Sequence, residues 1–427
     1  MTTTRPKRPI AGLLIMVVLA LIAYGVGAKL QQGYLDDPRA ANKFLEAEAN
    51  PNAKSPILAS FGKIRADAGE GKLMAKLAWM FGDWGDPAFQ KTALGGILMI
   101  FGAILAWFLD KKGKTTFGIC YGSGLFWRVL AAQILAALIS NFLYQNLFKD
   151  PAIGFVPTFI PIVSITPGLI FCFGGEWRKV ITAAVFGGII GCPFAYFIFV
   201  NFVVPWGLIG AVAWVTPMIV GGLLSAEACK YLPWMARQAS DPPVEPKAAA
   251  AAAAAANPPK MNASWFVKKV FADFSDANFY GSEIAGLFFI LGGVISIALN
   301  PFNAGYGEGY VYLLFLSSQI LASAFGVFIY WHRLFELGGY PTFVPVVTMG
   351  PMFVIFYYQK ALETYGTGLH VIIVGALVGA VIMPPFANWI SRSLPSHQPG
   401  YVGPVTSMFV NCLVVMAIFN YVPGFGV

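Results

Sequence analysis

Two short stretches carry the most chemistry this chain can offer inside an apolar environment. Residues 157–167 read P-T-F-I-P-I-V-S-I-T-P and residues 341–351 read P-T-F-V-P-V-V-T-M-G-P, each with three prolines in eleven positions. Proline removes a backbone donor and clashes with the preceding turn, so neither stretch continues as an unbroken helix. Backbone groups freed at membrane depth survive only when buried in protein or lining a wet cavity. Thr158, Ser164, Thr342 and Thr348 stand in these stretches. Their hydroxyls suit coordination of a small solute or cation, or else cap the broken helix ends. Gln133 and Gln319 occupy matching places in the preceding apolar runs, and a membrane glutamine either reads a ligand or bonds a neighbouring helix. These six residues are the candidate substrate-binding set.

The rest of the ionisable inventory narrows the function. No His, Cys, Asp or Glu set has metal-ligand spacing, no P-loop is present, and no acid–base pair resembles a proton relay. Neither a catalytic residue, a metal site nor an enzymatic role is expected, and no cofactor beyond a coupling cation of unknown identity. Arg128, about ten residues into its apolar run, either attracts an anion or snorkels to the surface. The five cysteines lie singly and read as small packing residues.

The elements that must hold these residues are membrane helices. Of 427 residues, 57% are hydrophobic and only 11% charged, where a soluble domain needs roughly 25% charge. Apolar runs of about 20 residues cross a bilayer core of roughly 30 Å. Such runs lie near residues 10–28, 93–109, 119–147, 155–173, 180–204, 207–229, 282–299, 309–331, 341–358, 368–390 and 402–422. An all-α integral membrane protein of about eleven spans is therefore expected, with the lipid bilayer as its first partner. The net charge of +8 is spread in short clusters between the runs, which marks topology and excludes a nucleic-acid partner.

The second five apolar runs repeat the first five. F-x-D-aromatic-x-D-x-x-F occurs at 81–89 and again at 271–279, an offset of 190 positions. Gln133-Ile134-Leu135-Ala136 answers Gln319-Ile320-Leu321-Ala322, the two P-T-F stretches follow, and Pro193-Phe194-Ala195 answers Pro385-Phe386-Ala387. The division expected is an N-terminal anchor helix at 1–28, an extracytoplasmic polar segment with an amphipathic helix at 29–80, one repeat at 81–230, a low-complexity cytoplasmic linker at 231–265 and a second repeat at 266–427. A cleavable leader is the competing reading of the first segment.

Five spans per repeat and a linker on one side place the repeats in opposite orientation, each with a broken third helix. Arg5, Lys7, Arg8, Lys111, Lys112, Lys114, Arg178, Lys179, Arg333 and Arg392 then share one side, as the positive-inside rule requires. The N-terminus is expected in the cytoplasm and the C-terminus outside the inner membrane. A re-entrant third element, giving parallel repeats, is the competing topology. Inverted repeats with broken helices point to a secondary transporter or facilitator of a small polar or anionic solute, working by alternating access. A non-transporting scaffold, homo-oligomeric or in a larger membrane complex, is the alternative. The aspartates of the two F-x-D motifs are expected at the membrane surfaces, because burying a carboxylate is costly.

Overall fold

In a computed structural model the chain is described over residues 7–35, 55–151, 153–238, 260–306, 309–344 and 357–425. Helices are the only regular structure among the described residues. Eight of them are long and apolar enough to cross a membrane, which makes this a multi-pass membrane protein. Long apolar helices are the form that satisfies every backbone group without water.

The chain opens with α1 (Ile10–Leu35), followed by two short helices, α2 (Phe61–Gly69) and α3 (Leu73–Gly82). The long helices α4 (Ala93–Asp110) and α5 (Phe126–Leu143) come next. A broken pair, α6 (Ile160–Val163) and α7 (Ile165–Phe173), leads into α8 (Trp177–Trp206) and α9 (Ala211–Cys229), each of which includes a π-helical turn. The same succession resumes with α10 (Ala263–Asp273), α11 (Glu283–Leu299), α12 (Gly309–Ile329) and the short α13 (Trp331–Leu337) and α14 (Gln359–Tyr365). The long α15 (Leu369–Ser393) and α16 (Val402–Tyr421) close the chain.

Ten of the eleven expected spans coincide with apolar helices, but α6–α7 and α11 are shorter than the rest. Most of the remaining span, 341–358, lies outside the described residues, as do the alanine run of the linker and much of the polar segment after α1. α1 packs along α12 and α10, with Met16 and Ala20 fully buried. α3 forms where the amphipathic helix is expected. Its Leu73 and Met74 are exposed while Ala75, Ala78, Trp79 and Met80 turn inward.

Helix contacts repeat in the two halves: α5 packs on α8 and α12 on α15, while α8 meets α9 and α15 meets α16. Small residues permit the closest of these. Gly187 and Gly191 of α8 sit against Pro161 and Ile160, and Gly188 against Ile139. Packing is thus what the small residues of α8 do.

The centre of the molecule is the α4–α11 pair. A methyl group placed on Gly292 would stand 2.8 Å from the Gly95 Cα, and one on Gly102 would stand 3.0 Å from the Ala285 Cα. The two helices therefore run antiparallel. Shifted by 190 positions, Gly102 becomes Gly292 and Gly95 becomes Ala285, so each contact maps onto the other.

Candidate functional site

The F-x-D motifs build this centre. Each follows a short helix, α3 or α10, and precedes a long one, α4 or α11. Each turns through a phenylalanine with positive φ, Phe89 at 55° and Phe279 at 65°. Each ends at a hydroxyl that caps the long helix: Thr92 accepts from the Gly95 amide at 3.2 Å, and Ser282 from the Ile284 amide at 3.2 Å. Gly96 and Gly286, four positions beyond each cap, let the preceding helix close in. A Cβ there would lie 1.7 Å from the Phe81 carbonyl oxygen and 1.8 Å from that of Phe271.

This packing carries the aspartates inward. Asp83 and Asp273 are fully buried and Asp86 is 1% exposed, contrary to the surface position expected from desolvation cost. The reason is a lysine in each cluster. Lys91 donates to both Asp83 and Asp86, the latter at 2.5 Å. Lys269 donates to Asp273 and, at 3.3 Å, to Asp276. Paired carboxylates tolerate burial where lone ones do not.

Each cluster is completed by a threonine from the P-T-F stretch of its own half. Thr158 donates to Asp83 at 3.0 Å, and Thr342 to Asp273 at 3.1 Å. Around the first, Asn141 donates to the other Asp83 oxygen at 3.0 Å, Tyr306 donates to Asp86 at 3.0 Å, and the Trp79 indole donates to Thr158 at 2.8 Å. Around the second, Ser323 donates to Asp273 at 2.5 Å. Burial pushes the Asp86 carboxyl up to about 8, with Lys91 pulling against it, and the Asp276 carboxyl up to about 7 against Lys269.

The clusters lie at opposite ends of the α4–α11 pair. The first is closed by residues after α11, where the Gly305 amide donates to the Lys91 carbonyl at 3.0 Å. The second is closed by residues after α4, where the Ile119 amide donates to the Tyr280 carbonyl at 2.9 Å. Since Gly102 lies beside Ala285, the starts of α4 and α11 are separated by roughly 16 Å along the helix axis, at 1.5 Å per residue.

The two glutamines each hold the motif of the other half. Gln133 donates to the Asn278 carbonyl at 3.0 Å and accepts from the Tyr280 hydroxyl at 2.9 Å. Gln319 donates to the Ala88 carbonyl and accepts from Gln90. Ala88 and Asn278 are 190 positions apart, as are Gln90 and Tyr280. Gln133 also donates at 2.8 Å to the carbonyl of Ile162, in the short helix ahead of the α6–α7 break.

The six sequence candidates thus fall into separate places. Thr158 and Thr342 belong to two different clusters, Gln133 is bonded to the second motif and Gln319 to the first. Ser164 forms the helix break, with φ −137° and ψ −95°, and returns its hydroxyl to the Ile160 carbonyl. Thr348 lies outside the described residues. Arg128 is in the first turn of α5, not ten residues deep, and its guanidinium lies 4.2 Å from the centre of the Trp177 ring. Among the described residues no group of three His, Cys, Asp or Glu side chains is placed to hold a metal.

Sequence reading missed the acid–lysine clusters. The aspartates were visible in the motif, but the lysines come from non-equivalent positions: Gly281 matches Lys91, and Trp79 matches Lys269. Comparison of the chain with protein-family models, with curated proteins and with solved structures returns no match. The arrangement is therefore interpreted from its own chemistry.

Proposed function

We propose that this chain is a secondary transporter or facilitator of a small polar or anionic solute, working by alternating access between two inverted repeats. In this reading it is not an enzyme. It lies in the cytoplasmic membrane with its N-terminus inside and its C-terminus outside. One observation carries the proposal: an acid–lysine cluster occurs twice, fully buried in the first case and largely buried in the second, at the two ends of an antiparallel helix pair whose contacts interchange under the same 190-residue offset. A two-fold axis relating antiparallel helices is perpendicular to them, so for helices crossing a bilayer it lies in the membrane plane. This supports reading the two halves as an inverted repeat. Ionisable groups buried inside a membrane protein are costly and accompany ion or solute pathways.

The described Thr158, Thr342, Gln133, Gln319 and Ser164 are all fully buried and bonded to protein. This corresponds to an occluded state in a transporter, and it is also the observation that favours a scaffold. The two readings separate in a reconstituted system. The purified chain in liposomes is given gradients of carboxylates, inorganic anions, sugars and amino acids, followed by exchange of labelled for unlabelled solute. Exchange of one class supports transport. Liposomes that retain every solute like protein-free controls return the chain to the scaffold reading.

A further inference from the structure

We infer that each carboxylate pair holds one exchangeable proton, carried on Asp86 in the first cluster and on Asp276 in the second. The inference rests on the transport reading for its purpose, as the site of proton coupling, but not for its chemistry. The charge count is the first ground. Two carboxylates face one ammonium in each cluster, so full ionisation leaves one uncompensated negative charge, in the first cluster without solvent and in the second with little. A buried group in that position takes up a proton rather than remain charged.

The second ground is the set of neighbours. Asp83 and Asp273 are the better-solvated partners in hydrogen-bond terms: Asp83 accepts from Lys91, Thr158 and Asn141, and Asp273 from Lys269, Thr342 and Ser323. Each of these two carboxylates thus has three donors. Asp86 accepts from Lys91 and Tyr306, and Asp276 from Lys269 alone at the longer distance of 3.3 Å. Among the described residues the Cys192 thiol, from α8, also faces the first cluster. Glu283, at the start of α11, is turned to the Thr116 and Phe117 amides.

A third observation comes from Asn141. It is fully buried and gives its Nδ2 to Asp83 and to the Ala137 carbonyl, while its Oδ1 has no partner. The free acceptor lies beside Asp83 and not Asp86, so it marks an unfilled hydrogen-bonding place at the edge of the first cluster and does not itself locate the proton. The step is an acid dissociation only: the carboxyl O–H breaks, its electron pair stays on the oxygen, and the proton leaves to water at the nearer membrane face.

Infrared titration of the full chain in lipid, without any solute, tests this. The expected result is a protonated-carboxyl stretching band that fades from about pH 5 to about pH 9, above the ordinary carboxylate range of about 4. Asp86→Asn and Asp276→Asn should each remove about half of it. Asp86→Glu should keep its intensity and move its position, which separates a proton site from a folding defect. A band absent throughout that range in the native chain, or unchanged in both asparagine variants, overturns the inference. A band that titrates as expected while no solute crosses the liposome upholds proton binding and removes only the transport reading.

Discussion

The indole ring of Trp79 lies 4.3 Å from the ammonium of Lys91. Its counterpart 190 positions later is Lys269, which is itself the cation of the second cluster. The cation therefore reaches the carboxylates from the helix before the motif in one half and from the residues after it in the other. What the two halves share is the charge, not the position that supplies it.

Lys91→Met leaves Asp83 and Asp86 without their cation and should lower stability by about 3–5 kcal/mol, the cost of breaking a buried pair. Adding Asp86→Asn to Lys91→Met should recover a large part of the loss, since it removes one of the stranded charges. Denaturation in one detergent compares the two, and a double variant no more stable than the single one would show that the lysine acts by packing.

Stability should also fall as pH rises. Asp86 and Asp276 bind protons more tightly in the folded chain, at about 8 and about 7, than in the unfolded one, at about 4. Their neutral forms cost nothing at low pH, so the folded state is weakened progressively from about pH 4 until the folded values are passed. The melting temperature of the native chain should decline between pH 5 and 8, and that of the Asp86→Asn, Asp276→Asn double variant should decline less.

Gln133→Leu should cost more than Gln319→Leu. The first strands the Ile162 and Asn278 carbonyls together with the Tyr280 hydroxyl, whereas the second strands the Ala88 carbonyl and the Gln90 amide. Each orphaned buried group is worth about 1–3 kcal/mol. Equal melting temperatures in the two variants would indicate that water replaces the lost partners.

Gly96→Ala and Gly286→Ala should both destabilise, because the new methyl meets a backbone carbonyl that has no rotamer to escape into. Gly25→Ala, with nothing within 4 Å of the added carbon, should be close to neutral in the same thermal assay.

The helical membrane fold was legible because long apolar runs have few alternatives, and α4, α8 and α12 begin and end near the expected positions, while α5 begins seven residues late. Helix breakage at Ser164 was legible from its flanking prolines. The buried aspartates were not. Desolvation argues for the surface, and only the tertiary placement of Lys91 and Lys269 reverses that balance. The glutamine grips were half legible: Gln133 and Gln319 were marked by their matching places, but their partners, Asn278 and Ala88, are bonded through backbone, which leaves no residue signature.

The sequence distances within the clusters bear on how such a chain enters a bilayer. Lys91 meets Asp83 and Asp86 across eight and five positions, and Lys269 meets Asp273 and Asp276 across four and seven. The glutamine bonds to Asn278 and Ala88 span 145 and 231. Closing a short loop costs little entropy and happens early. Each half can thus pair its own carboxylates with a lysine during synthesis, before its opposite number exists, and the long-range amide grips form only when two halves with their ion pairs already made meet.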